Sequence, residues 1–125
     1  MEIEVSIGEI FDKISILEIK VNNLKRDQYT NARKELDYLK RKIKEMPDIE
    51  YADISKLYII NKELWAIEDA IRNKEFLQEF DEEFIQLARS VYITNDRRGK
   101  IKKEINLKYK SMFIEEKSYN KYTND

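Results

Sequence analysis

The sequence predicts an all-α protein, a four-helix bundle-like fold of two helical hairpins in which helices three and four are the longer pair. Three observations carry this. Only two glycines and one proline punctuate 125 residues, too few for the tight turns that sheets require. Apolar residues recur three and four apart along most of the chain, the period of helices with a covered face. The balance of 39% charged and 42% apolar residues is that of a folded helical chain rather than a disordered one. The chain reads as a single domain, residues 1–125, long enough to bury about two thirds of its unfolded surface.

Ile3-Glu4-Val5 alternates and predicts a short extended segment. Ser6-Ile7-Gly8-Glu9 follows as a capping box, with the Ser6 hydroxyl on the Glu9 amide and Glu9 reaching back. Ile7, Ile10, Ile14, Leu17, Val21 and Leu24 then form the seam of a first helix that ends near Lys25. Phe11, Ile16 and Ile19 lie off that seam, so a second side of this helix is also covered. The register slips at Arg26-Asp27-Gln28, the expected turn, and helix two carries Tyr29, Ala32, Leu36, Leu39, Ile43 and Met46 on one face. Pro47-Asp48 stops it, because proline cannot continue the hydrogen-bond ladder.

Helix three is expected from Ala52 or Asp53 to about Gln78. It has an aliphatic face (Leu57, Ile60, Leu64, Ile67, Ile71) and, beside it, a mixed one (Ile54, Tyr58, Asn61, Trp65, Glu68, Arg72, Phe76). Such a helix lies between other elements. Asp81 is the natural N-cap of helix four, with Phe80 and Phe84 as a packing pair across the cap. The helix-four seam of Phe84, Leu87, Val91, Thr94, Arg98, Ile101 and Ile105 is polar in its middle. Gly99 within it costs about 1 kcal/mol against alanine and either permits a close approach or is simply tolerated. The segment from Met112 on predicts a docked C-terminal tail with Tyr119 packed on the bundle. At 1.5 Å per residue helix four is about 40 Å long, against about 27 Å for the first two. Its far end, with Ile101, Ile105, Tyr109 and Met112, is therefore expected to overhang. Together with Phe11, Ile16 and Ile19 it would form a dimer interface. A tail folded back over the same residues is the rival.

Composition narrows the chemistry. With no cysteine, disulfides, thiolate catalysis and zinc–thiolate sites are excluded; with no histidine, so are Ser-His triads and histidine metal sites. Carboxylate pairs such as Glu82-Glu83 and Glu68-Asp69 lack the stacked spacing of two-metal helical sites, so no metal and no cofactor is expected. No run approaches the roughly 18–20 apolar residues of a membrane span, and Met1-Glu2-Ile3-Glu4 lacks a secretion-signal pattern. A cytoplasmic protein is expected. The formal charge of −1 gives no global pull toward nucleic acid. From Arg89 to Lys110 there are eight basic residues and two acidic ones, whereas Glu75 to Glu83 holds five acids and no base. An acid-to-base match in an oligomer, or a solvated face, explains this better than a nucleic-acid surface, since only Tyr92 and Tyr109 are interleaved.

If helices three and four form an antiparallel hairpin about Phe80, their polar patches meet. Asn61, Trp65, Glu68, Arg72, Asn95 and Arg98 form the candidate cluster. One reading is a partly buried network that fixes helix pairing. The other is a pocket whose Arg72 and Arg98, with Lys13 and Lys20 of helix one, bind an anion beside Glu68.

Several stretches together resemble a known family. They are Glu9-Ile10-Phe11-Asp12-Lys13, Ile16-Leu17-Glu18-Ile19-Lys20, Leu64 to Arg72, Asn95-Asp96-Arg97-Arg98 with Lys102 and Ile105-Asn106, and Glu115-Glu116-Lys117-Ser118-Tyr119. The combination is similar to an uncharacterised all-helical domain family of bacteria and phages, over nearly the whole chain. Gly99 departs from it, where alanine is expected. The resemblance implies a fold and marked positions, and no activity. That such domains stand alone or beside repeat or glycosyltransferase-like regions hints at surface-polysaccharide biology. The leading expectation is a non-enzymatic helical interaction or oligomerisation module, a homodimer with a possible protein partner. The alternative is an enzyme or binding protein for a phosphorylated sugar or nucleotide.

Overall fold

In a computed structural model, described over residues 1–118 and Tyr122, four helices follow in order. They are α1 Ile7–Asn23, α2 Arg26–Lys44, α3 Tyr51–Leu77 and α4 Glu82–Lys108. The chain is all-α, with an exposed N-terminal segment that is extended but unpaired and a C-terminal segment laid back along α4.

Local chemistry sets the boundaries. Ser6 Oγ accepts from the Glu9 amide and Asp81 Oδ1 from the Phe84 amide, as expected of both caps. The Phe80 and Phe84 rings stack edge to face at 5.3 Å. The capping box is only half made, because Glu9 is diverted to Lys102 of α4. The α1–α2 turn comes earlier than the register slip suggests, at Leu24-Lys25, and Arg26 already belongs to α2. With so few glycines, left-handed turn positions fall to Arg26, Asp48, Gln78 and Lys110. At Gln78 and Lys110 they build the usual glycine-type helix terminus: the Glu79 amide donates to Lys74 O and the Ser111 amide to Asn106 O.

α1 is the hub. Its backbone packs against all three other helices, α2 meets α1 alone, and α3 pairs with α4. Phe11, Ile14 and Leu17 join Ala32, Leu36, Leu39 and Ile43 on one side and Ile54, Leu57, Ile60 and Ile105 on the other. Phe11 and Ile19, the off-seam residues, are buried inside this three-sided packing, and Ile16 is half-buried. They are therefore not the dimer surface the sequence suggested. Tyr29, expected on the inner face of α2, is exposed.

The predicted overhang exists at the opposite end. Ile105 is buried, Ile101 and Tyr109 pack on the core, and the Phe11 and Tyr109 rings meet at 5.4 Å; of the four residues expected to be uncovered, only Met112 is exposed. Helix lengths alone do not say which end protrudes. The crossing of α1 and α4 decides it: a Cβ on Gly8 would lie 2.7 Å from the Lys102 carbonyl oxygen, so the C-terminal half of α4 is clamped to the start of α1. Beyond Leu64 in α3 and before Thr94 in α4 no residue is buried. Residues 65–93 form a two-helix arm about 20 Å long, held by one half-buried seam of Ile67, Ile71, Phe84, Leu87 and Val91.

Candidate functional site

The polar residues that the fold brings together lie where α1, α3 and α4 meet. Arg98, Lys102 and Asn106 are spaced four apart and form one stripe on α4. Glu9, Asp12 and Ser15 face them from α1 and Asn61 from α3. Asn61 Nδ2 donates to Asp12 Oδ1 and to Ser15 Oγ, both at 2.8 Å, and Asn61 Oδ1 accepts from Arg98 at 3.1 Å. The Ser15 hydroxyl donates to the Asp12 carbonyl at 2.7 Å. Lys102 Nζ lies 2.8 Å from Glu9, 3.2 Å from Glu115 of the C-terminal segment and 3.9 Å from Asp12. Asn106 Oδ1 accepts from the Gly8 amide at 2.6 Å and from Ser111 Oγ at 3.1 Å, and Ser111 Oγ in turn accepts from the Ile7 amide. Asn106 Nδ2 has no partner among the described residues.

This wiring decides the chemistry. Burial disfavours the Lys102 charge, but its hydrogen bonds to Glu9 and Glu115 and the Asp12 charge outweigh it and hold its pKa above the ordinary lysine value. An amine that must act as base or nucleophile needs the opposite shift. Glu115 is held below its usual range by its hydrogen bond to Lys102 and the charge of that ammonium. Asn61, Asp12 and Ser15 are each engaged with one another, so the cluster ties three helices and the C-terminal segment together. A second network locks the far end of the hairpin. Asp53 accepts from Lys108 at 2.8 Å and from Tyr109 at 2.7 Å, and Tyr109 accepts from the Glu50 amide. Burial alone would raise the Asp53 pKa; the Lys108 and Tyr109 hydrogen bonds, aided by the Lys108 and Lys56 charges, bring it below the usual value.

Of the expected cluster, Asn61 and Arg98 meet directly. The hairpin register, with Asn61 beside Arg98 and Glu63 beside Arg97, leaves Glu68 and Arg72 further out on the arm. They line a shallow groove of about 400 Å³ with Ile71, Glu75, Phe84 and Val91. Trp65 lines a different cleft, about 360 Å³, with Ile19, Asn22, Tyr58, Lys62 and Asp69 at the end of α1. Asn95 is half-buried and makes no hydrogen bond to the network among the described residues. Lys13 pairs with Glu35 of α2 at 3.0 Å, and Lys20 is half-buried on α1. Of the four expected anion-binding cations, Lys13 thus faces α2, Arg98 the junction and Arg72 the groove on the arm. Much of the basic stretch of α4 is also paired with acids: Arg97 with Glu63, Lys102 with Glu9, Lys103 with Glu116 and Lys108 with Asp53. Among the described residues, no three histidine, cysteine, aspartate or glutamate side chains gather as a metal-holding group, and no helix is long and apolar enough to cross a membrane.

Asp12, Ser15, Lys102 and Asn106 were not among the expected cluster residues. Their signal in the sequence is the polar stripe at four-residue spacing on α4 and the motif stretches around Asp12, Lys102 and Glu115, which converge here from three separate parts of the chain. Tyr119, expected to pack on the bundle, lies outside the described residues. No curated protein and no solved structure matches this sequence. One family model does, over residues 1–124, and the chain therefore belongs to the family of unknown function DUF6165.

Proposed function

We propose that this chain is a non-enzymatic helical interaction module that self-associates as a dimer, with the arm of α3 and α4 as its working surface. The observation that carries the reading is the arm itself. A pair of helices with one half-buried seam fully buries none of its apolar side chains and leaves several in water: Phe76 is 83% exposed, and Leu77, Phe80 and Ile85 about half. Neighbouring exposed apolar side chains on a projecting element mark an interaction site. The polar junction below it serves as the rigid base, since its ionic groups are engaged with one another. A cysteine-free chain suits the cytoplasm. The reading as a phosphorylated-sugar or nucleotide protein finds less support, because Lys13, Lys20, Arg72 and Arg98 do not converge on one cleft.

Light scattering at micromolar concentration tests the reading. A mass near twice 15.2 kDa is expected. A mass of 15.2 kDa at every concentration would remove self-association.

A further inference from the structure

One face of α3 carries Ile59, Ala66, Ala70 and Leu77. Ile59 is 62% exposed and Leu77 51%, Ala66 is exposed and Ala70 half-buried. Asn61 and Trp65 point to the α1 side of the same helix, and Ile60, Leu64, Ile67 and Ile71 to the core and the α4 seam. The exposed set is a stripe of its own, although Ala66 at its edge also rims the cleft that Trp65 forms with the end of α1. Its spacing is symmetric about the level of Glu68: Ala66 and Ala70 lie two residues to either side, Ile59 and Leu77 nine to either side.

From this spacing we infer that the stripe pairs with the same stripe of a second copy, antiparallel about a two-fold axis at the level of Glu68. The inference rests on the self-association proposed above. In that arrangement Ile59 meets the partner's Leu77 and Ala66 meets the partner's Ala70. The two alanines at the centre let the helix backbones approach, and the larger side chains close both ends. A closed two-fold interface requires such self-complementarity. Antiparallel pairing of two arms also completes a four-helix bundle over the stretch where each chain supplies only two helices.

Charge selects this orientation. The arm tip holds Glu75, Glu79, Asp81, Glu82 and Glu83, with Lys74 shared among Glu79, Asp81 and Glu83 at 2.9 to 3.2 Å. Antiparallel pairing lays this acidic tip near the partner's Lys56, whose side chain is well exposed and, among the described residues, holds only Asp53 of its own chain, at 3.6 Å. Parallel pairing would instead stack the two acidic tips, which like charges oppose.

A chain without cysteine makes cross-linking a clean test. Ile59→Cys and Leu77→Cys replace well-exposed side chains and leave the core intact. Under mild oxidation, a mixture of the two variants should give a disulfide-linked product of twice the chain mass, at least about five-fold more than either variant alone. Cross-linking of each variant alone as strongly as in the mixture would overturn the antiparallel register. A dimer by light scattering that gives no cross-link at any of these positions would overturn this face while leaving self-association standing. A monomer by light scattering would overturn both.

Discussion

Replacing Gly8 by alanine should destabilise the protein, although alanine favours helices. The Cβ would sit 2.7 Å from the Lys102 carbonyl oxygen and 2.9 Å from Asn106 Oδ1. The first contact is backbone, so no side-chain rotation relieves it and α1 must move away from α4. That movement stretches the 2.6 Å bond from the Gly8 amide to Asn106 and the 2.8 Å bond from the Ile7 amide to Ser111. Overpacking of this kind costs about 1–3 kcal/mol, and a weakened hydrogen bond adds about 1 kcal/mol. The gain from replacing a helical glycine offsets about 0.5–1 kcal/mol. The net loss is about 1–3 kcal/mol. With an unfolding entropy of about 2.1 cal/mol/K per residue, a chain of this length loses roughly 4–12 °C in Tm. Gly99→Ala supplies the opposite case in the same molecule. There the added Cβ meets only the Lys117 side chain, at 3.3 Å, which can move aside. The helix gains about 0.5–1 kcal/mol and Tm rises by roughly 2–4 °C. Calorimetric melting of the two variants against the parent is the assay. Gly8→Ala melting at or above the parent, or Gly99→Ala falling as far as Gly8→Ala, would refute the close crossing of α1 and α4.

Three further outcomes follow from the polar networks. Asn61→Ala leaves Asp12, Ser15 and Arg98 short of a partner, and chemical denaturation should show a loss of about 2–4 kcal/mol; a loss below about 0.5 kcal/mol would show that the junction does not hold the helices. Because the folded-state pKa of Asp53 lies below its unfolded value, its contribution is present above about pH 4 and drains away as pH falls through the lowered value. The stability gap between the parent and Asp53→Asn should therefore close under acid titration, and a gap that is unchanged from neutral pH to pH 2 would contradict the assignment. Deleting residues 113–125 removes Glu115 from Lys102 and Glu116 from Lys103; Tm should drop by several degrees, and an unchanged melting curve would mean that the segment contributes nothing.

Much of this was legible in the residues. The caps at Ser6 and Asp81, the stop at Pro47 and the limits of α3 and α4 follow from local chemistry, and the structure places them within a residue or two. Phe11 and Ile19 announced that α1 has a second covered side, but periodicity cannot name the neighbour, and α3 and α4 proved to be the cover. The polar junction was half visible. Asn61 and Arg98 interrupt apolar seams, which drew attention to them. Lys102 and Asn106 lie one and two turns further along the same stripe, where in sequence they look like solvated positions. Only the contact of α4 with α1, between residues more than ninety apart, buries them. The protruding end was misread for the same reason: helix length says that something overhangs, and the long-range crossing at Gly8 says which end.

The claim that the arm is completed by another copy is tested most directly by hydrogen exchange measured as a function of protein concentration. The arm, residues 65–93, has no buried residue of its own, so in the monomer its amides should exchange far faster than those around Phe11, Leu57 and Ile105. Raising the concentration through the dimer range should slow exchange in the arm by at least about ten-fold and leave the core amides unchanged. Arm amides whose exchange does not depend on concentration would contradict the account.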